Sequence, residues 1–584
     1  MPTPVPVEPV AGSRPAVRVL WLLLAVLALL RAVLAGGHGT WRWGIDLQRF
    51  LAPGPGWLLW ALLAIGLVPG IGNAAARRWE SVERWMTARP RTALLAAVAA
   101  GMLLVASLPD RAKFVGDYML REGAIGGAWF SRVFVQSLPL DVLLHQVVPQ
   151  ALAGLLHLTP AGYDRTLGIV EAGLLALLAM SFARSLRREG ALLSFVVVFF
   201  GGTLAMFTGY GRSAGEQVIV TLALGWLGLR VARDGSRATG FAVTLALALA
   251  LHRSMLALLP FALLIGWRWA RWPRRKPVVE RVAMLLPLAT LALLLPRLAH
   301  VIASFDLPRH VVAPGATAGA GLHALDVLNA VMILAPVFVP VLLAGAWVMR
   351  GSLRSVEGRG LFLLMLSFLP LLFVVQPQQG EFRDWDVFAP AGTAFAMWSA
   401  WLLGDILPHR ARPNPVFAIA AAAVVPSLAL LILHHDVDRS LERARAFVTE
   451  SPRRADRDAT LTWEYIGGRE RTLGRWPEAA AAFRQEAGLT ASRRSFLAWG
   501  IAALYAGDPA EARRAFDGWV AHDSADALGW LCLGRAAQEQ GDTAAVRAAT
   551  GRLRRFAGDP RALREMRQFL QLEPALQPRG APPR

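Results

Sequence analysis

One cysteine, Cys532, stands in the 584 residues. A lone thiol has no internal disulfide partner, cannot build a cysteine-ligated metal cluster, and leaves the redox compartment unstated. Charge is scarce as well: Asp, Glu, Lys and Arg make up 17% of the chain, against about a quarter in ordinary soluble proteins. No Walker phosphate loop, dinucleotide fingerprint, zinc-ligand spacing or nucleophile elbow occurs, which argues against a nucleotide-driven pump. No convincing signal-peptide pattern opens the sequence either. Ala16–Leu34 is too long for the apolar core of a signal peptide and no clear small-residue cleavage site follows, so this stretch is expected to remain as a first anchor.

What is present is apolar sequence in runs. Hydrophobic residues make up 55% of the chain, and segments of spanning or near-spanning length fall at 16–35, 57–73, 92–108, 166–183, 191–209, 215–231, 238–251, 255–268, 281–303, 325–348, 360–376, 387–407 and 416–433. About thirteen spans are therefore expected in an all-α, polytopic bundle. The segments 238–251 and 255–268 flank His252-Arg253-Ser254 and predict a tight helical hairpin.

The net charge of +20 is mostly arginine placed in short loops, which reads as topology signalling and not as nucleic-acid binding. With a cytoplasmic N-terminus, the inner loops hold Arg77, Arg78, Arg84 and Arg89; Arg184, Arg187 and Arg188; Arg233 and Arg237; and Arg271, Arg274, Arg275 and Lys276. Arg350, Arg354 and Arg359, then Arg410 and Arg412, continue the series. The loop 109–165, Gly209–Gly215, His252, Phe305–His323 and Gln376–Asp386 then share the outer face. This register requires that Leu140–Leu158 does not span; Pro149, His145, Gln146 and Gln150 suit an interfacial helix instead.

After Leu433 the composition turns charged and Ala-rich, marking a soluble helical domain over 434–572 and a disordered Pro-rich tail over 573–584. The domain repeats itself. Gly474, Gly507 and Gly541 are spaced by 33 and 34 residues, as are Trp463, Phe496 and Trp530. Small residues (Ala479, Ala512) and aromatics (Phe483, Phe516) follow the first two turns, the pattern of a tetratricopeptide repeat. Thirteen spans from a cytoplasmic N-terminus would put these repeats outside, and their superhelix is expected to bind a protein partner.

Candidate chemistry lies in the outer loops. Leu108–Arg165 carries Asp110, Asp117, Glu122, Asp141 and Asp164 between two apolar segments, and acids at a bilayer surface are costly to keep without a use. Asp117 is placed to take a proton from an acceptor hydroxyl or to hold a divalent cation, Mg or Mn; the plainer role is to cap a helix starting at Tyr118. Glu381-Phe382-Arg383-Asp384-Trp385-Asp386 combines a guanidinium, acids and an indole. Arg383 suits a phosphate, Asp384 and Asp386 suit metal or sugar hydroxyls, and Trp385 suits stacking on a pyranose; alternatively Asp386 caps the following helix and Arg383 pairs locally. Tyr210 and Arg212 sit in a glycine-flanked segment before a helix, a favourable place for an anion or a plain turn. His252 and Arg253 interrupt an apolar stretch, where snorkelling to headgroups competes with binding a lipid phosphate.

The order of these features resembles a family. Gly116-Asp117 early in a long first outer loop, Pro139–Leu158, Tyr163-Asp164-Arg165, Gly209-Tyr210, His252-Arg253-Ser254 ahead of Leu259-Pro260, Asp326-Val327-Leu328-Asn329 and Arg383-Asp384-Trp385-Asp386 look like the GT-C glycosyltransferases. The likeness is to bacterial members similar to protein O-mannosyltransferases, including relatives that end in tetratricopeptide repeats, and it covers roughly 92–433. It departs from the paired acids of many members, since Asp117 is followed by Tyr118, and residues 1–91 add two spans and a basic loop to the matched core. The resemblance implies a multi-pass enzyme of a bacterial cytoplasmic membrane that moves a sugar from a polyprenyl-phosphate donor to a protein or glycan acceptor at the outer face. Asp117 would be the base and Arg383 would steady the departing phosphate. Two other classes stay open: a non-catalytic envelope scaffold that recruits partners through its repeats, and a lipid or polysaccharide transporter.

Overall fold

In a computed structural model, the described residues are 13–186, 190–273, 276–310, 320–407 and 415–573. Arg187, Arg188, Arg274, Arg275, Arg410 and Arg412, together with residues 574–584 of the expected tail, lie outside them. The described chain is helical and forms two compact units, Met1–Ser440 and Leu441–Arg584.

In the first unit nine helices among the described residues are long and apolar enough to cross a membrane: Arg14–Ala35, Pro90–Ser107, Pro139–Leu156, Pro160–Leu186, Ala214–Asp234, Val278–Arg309, Val356–Val374, Trp385–Ile406 and Val416–His435. The count reaches eleven if two bent pairs are each one span, Pro53–Gly66 with Pro69–Ala88 at 91° and His323–Leu334 with Phe338–Gly345 at 99°. Nine to eleven such helices fit a multi-pass membrane protein and fall short of the thirteen expected. Local chemistry explains the differences. Pro69 and Pro336 stand at the two bends, where a proline cannot donate the helical hydrogen bond and biases its predecessor away from helical torsions.

The segment 191–209 is not one helix. It forms Ala191–Phe199 and then a 3-10 stretch, Gly202–Phe207, after a break at Gly201-Gly202. A Cβ on Gly201 would stand 2.5 Å from the Leu334 carbonyl oxygen, and one on Gly202 would stand 2.5 Å from Ile333, so this glycine pair admits another backbone at close range.

The expected hairpin around His252 also opens out. Ala238–Leu251 and Leu259–Ala270 are separated by a 3-10 turn, Arg253–Leu258. The first packs on Ala214–Asp234 and Leu286–Val301, the second on Val356–Val374 and Ala214–Asp234. Pro139–Leu156, expected at the interface, is a continuous helix with a π turn at Leu143–Val147, and its Asp141 and His145 are buried in the protein instead of facing headgroups.

The second unit is a series of antiparallel helix pairs: Asp456–Thr472 with Trp476–Leu489, Arg493–Tyr505 with Pro509–His522, and Ala527–Glu539 with Thr543–Leu553. Gly474, Gly507 and Gly541 turn each pair with φ of 73°, 77° and 72°, torsions that glycine adopts at no steric cost. Asp508 and Asp542 cap the second helix of their pairs through the amides of Glu511 (2.8 Å) and Ala545 (2.9 Å). A core of Phe483, Ile501, Phe516, Trp519, Leu528 and Cys532 runs along the stack. Gly467 and Gly500 make room for the Phe483 and Phe516 rings.

Candidate functional site

Distant loops of the first unit meet at one place. The segment after Pro90–Ser107 is tied down by Asp110, whose amide donates to the Thr208 carbonyl (3.2 Å), and by Arg111 and Ala112, whose amides donate to the His434 carbonyl (3.0 and 2.9 Å). Arg165 closes the same region by donating to the carbonyls of Val105 (2.9 Å) and Thr208 (3.2 Å). The chain then docks on the loop 376–386. The Gly116 amide donates to the Arg383 carbonyl (2.7 Å), the Arg383 guanidinium donates back to the Gly116 carbonyl (3.1 Å), and the Phe114 and Phe382 rings meet edge to face at 4.9 Å.

This docking brings Asp117 beside Asp384 and Asp386. Asp117 is half-buried and accepts from the Gln379 side-chain amide. Its carboxylate makes no capping bond to the helix Tyr118–Ala124, so the capping role is not the one observed. Asp386 is buried, with one oxygen accepting from the Tyr210 hydroxyl (2.8 Å) and from Arg212 (2.7 Å). Tyr118 stacks on Tyr210 with ring centroids 5.4 Å apart. Gly116, at φ 50°, is the contact point: a Cβ there would stand 2.6 Å from the Tyr210 hydroxyl, 3.0 Å from Asp384 Oδ1 and 3.1 Å from Asp386 Oδ1. Both of those carboxylate oxygens are buried without a hydrogen-bond partner.

The electrostatics follow from burial and crowding. Asp384 is pushed up to about 7 by burial first, then by the charges of Asp386 and Asp117. Burial works against the Arg212 charge, yet Asp386, Tyr210, Asp117 and Asp384 hold its pKa well above the ordinary arginine value. Burial raises the Tyr210 hydroxyl, and Asp386 adds to the shift. Burial and the cations Arg253 and Arg212 hold His252 well below its ordinary value, so it is a neutral imidazole at pH 7.

Of the expected site residues, Asp117, Tyr210, Arg212, Asp384 and Asp386 come together. The other four, Arg383, Trp385, His252 and Arg253, take different work. Trp385 is fully buried, so no indole face is offered to a sugar. Arg383 is 7% exposed and spends its guanidinium on backbone carbonyls, which makes it a clasp between loops and not a clamp for an incoming phosphate. Arg253 pairs with Asp306 at 2.5 Å and lies 3.2 Å from His252 Nε2, while Ser254 bonds Gln217 (2.8 Å).

The acids of the loop 109–165 also part company. Asp110 faces His434 (3.4 Å), and Glu122 pairs with Lys113. Asp141 lies 3.5 Å from Arg121 and 3.7 Å from His145, whose Nε2 is 3.0 Å from Glu216. The Arg121 guanidinium stacks 3.9 Å above the Phe134 ring. Asp164 is buried with both oxygens unpartnered and presses against Gly211, where a Cβ would stand 2.4 Å from Asp164 Oδ2.

Among the described residues no three His, Cys, Asp or Glu side chains group as a metal site would need. Around Asp117 the donors are partly engaged: a guanidinium already pairs with Asp386, and the Gln379 side-chain amide bonds one Asp117 oxygen. These residues do not suit a divalent ion centred on Asp117. Gln379 carried no distinguishing signal in the sequence, and Gly116 drew notice there only as the neighbour of Asp117.

Comparison with known proteins gives no match to this chain, whether among family models, curated proteins or solved structures.

Proposed function

We propose that the chain is a membrane glycosyltransferase of the GT-C type, moving a sugar from a polyprenyl-phosphate donor to a polar acceptor at the outer face of a bacterial cytoplasmic membrane. The observation that carries this reading is the half-exposed Asp117 carboxylate beside the Arg212–Asp386–Tyr210 cluster, at the ends of long apolar helices. A polyprenyl donor stays in lipid while its phosphosugar meets the acceptor at the water boundary, so a base and a cation are needed at that depth.

In the proposed step Asp117 removes a proton from an acceptor hydroxyl, and the resulting oxygen forms a bond to the anomeric carbon. The bond from that carbon to the phosphate oxygen breaks, and the departing polyprenyl phosphate takes the electron pair. Arg212 supplies positive charge next to the departing phosphate, the role the sequence alone had suggested for Arg383, whose guanidinium is engaged elsewhere. No step is routed through a metal ion.

The second unit is proposed to be three tetratricopeptide repeats that select or tether a protein partner. The three glycine turns of matching φ at spacings of 33 and 34 residues support this. The test of the enzyme reading is transfer from purified lipid-linked sugars by the inserted full chain. Asp117→Asn should abolish turnover while insertion and folding persist, and unchanged turnover would remove Asp117 from the mechanism.

A further inference from the structure

The first 60 residues line a second polar cavity that shares no residue with the Asp117 cluster. Arg31 lies on the last turns of the apolar helix Ser13–Ala35 and is fully buried. A guanidinium at that depth is expensive unless its donors are satisfied. Here one nitrogen makes a long bond to the Ile45 carbonyl (3.5 Å), while Nε and Nη2 have no hydrogen-bond partner. Gln48, 8% exposed, is in the same position, since both its amide nitrogen and its amide oxygen are unpartnered.

Arg31 and Gln48 line one cavity of about 170 Å³, together with Arg49, Pro53, Trp57 and Trp60. Trp60 is fixed by its bond to the Ala28 carbonyl (3.0 Å), and Trp57 meets it edge to face at 5.8 Å. Among the described residues that line it, Arg31 and Arg49 are cationic and none is acidic. Asp46 acts on Arg31 but lies 3.8 Å from Arg42. An anionic acceptor therefore suits the Arg31 and Gln48 donors.

The flanks narrow the anion's identity. The cavity opens where the C-terminal end of Ser13–Ala35 meets the N-terminal end of Pro53–Gly66, and on these two helices Leu29, Val33, Trp57 and Leu58 are exposed apolar side chains. Tryptophans at helix ends mark the headgroup level of a bilayer. A tetrahedral oxyanion with several acceptor oxygens satisfies a guanidinium fork and an amide together.

We propose that this cavity binds a phosphate group, with Arg31 and Gln48 as its hydrogen-bond donors and the apolar flanks receiving the chains of a phosphate-bearing lipid. The site is separate from any donor site at Asp117, so it stands whether or not the chain transfers a sugar.

The test is the thermal unfolding midpoint of the full-length protein in a neutral detergent, titrated with short-chain phosphatidylglycerol, the matching neutral diacylglycerol, or inorganic phosphate. A ligand that binds the folded state raises the midpoint in a saturable way. Phosphatidylglycerol should do so and diacylglycerol should not. Arg31→Gln should weaken half-saturation at least tenfold. Gln48→Leu removes two unsatisfied polar atoms, so it should fold at least as well as the parent and still bind more weakly, which keeps the test decisive if Arg31→Gln does not insert. An equal, Arg31- and Gln48-dependent response to inorganic phosphate supports the site and assigns it a soluble ligand, whereas a response to the lipid alone assigns it a headgroup. The proposal is overturned if no phosphate-bearing probe raises the midpoint, or if the variants respond as the parent does.

Discussion

The Arg212 guanidinium lies 2.7 Å from the Asp386 carboxylate, across 174 residues of sequence, and Asp386 has no solvent-exposed side-chain surface. Removing the cation alone strands a buried negative charge, which costs about 3–5 kcal/mol, whereas replacing both partners with apolar groups of similar size is far milder. Arg212→Met should therefore be strongly destabilising, and Arg212→Met combined with Asp386→Leu should recover much of the loss. A double-mutant cycle on reversible unfolding of the purified full chain reads the coupling. Additive effects would mean that the pair is not coupled as its geometry implies.

Asp384 gives a pH dependence of definite sign. Its folded-state pKa of about 7 lies above the ordinary 3.8, so between those values the folded protein holds a proton that the unfolded chain has lost. Stability should fall as pH rises from about 4 to about 7 and level off above, with a slope of at most ~1.4 kcal/mol per pH unit from this group. Asp384→Asn keeps an oxygen to accept from the Gln379 amide, which bonds Asp384 Oδ2 at 2.9 Å, and removes the titration. Unfolding midpoints measured from pH 5 to 8 should show a shallower slope in Asp384→Asn, and an identical slope would refute the assignment.

Two glycines of the second unit should respond to alanine for opposite reasons. Gly507 adopts φ 77° and faces open space, so Gly507→Ala is penalised by backbone strain, about 1–2 kcal/mol. Gly500 lies within a helix, where alanine is intrinsically favoured, but a Cβ there would stand 2.3 Å from the Phe516 ring. Overpacking of this kind costs about 1–3 kcal/mol. Hydrogen exchange of helices 493–505 and 509–522 in the full chain should rise in both variants. Adding Phe516→Leu to Gly500→Ala should restore protection, and the same addition to Gly507→Ala should not.

The helical class and the apolar runs were legible because both are local. A run of twenty apolar residues or a period of 33 needs no knowledge of what lies across the fold. The same logic explains Gly474, Gly507 and Gly541, whose left-handed torsions are a property of each turn by itself. Where the reading went astray, the deciding contact was distant. The segment 191–209 looks like a span until Gly201 and Gly202 meet the backbone at Ile333 and Leu334. His252 and its neighbours look like a hairpin until the flanking helices find different partners.

The candidate site divides in the same way. Composition and spacing by themselves determined that acids, an arginine-rich loop pattern and a repeat-bearing segment belong to this chain, since they depend on residue type and order alone. Only the tertiary structure decided that Gly116 faces both Asp384 and Asp386, that Arg212 pairs with Asp386 while Arg383 bonds the backbone carbonyl of Gly116, and that Trp385 is sealed inside. Those outcomes turn on which backbone carbonyls and which buried charges compete for a given side chain, and that competition exists only once helices far apart in sequence are packed together.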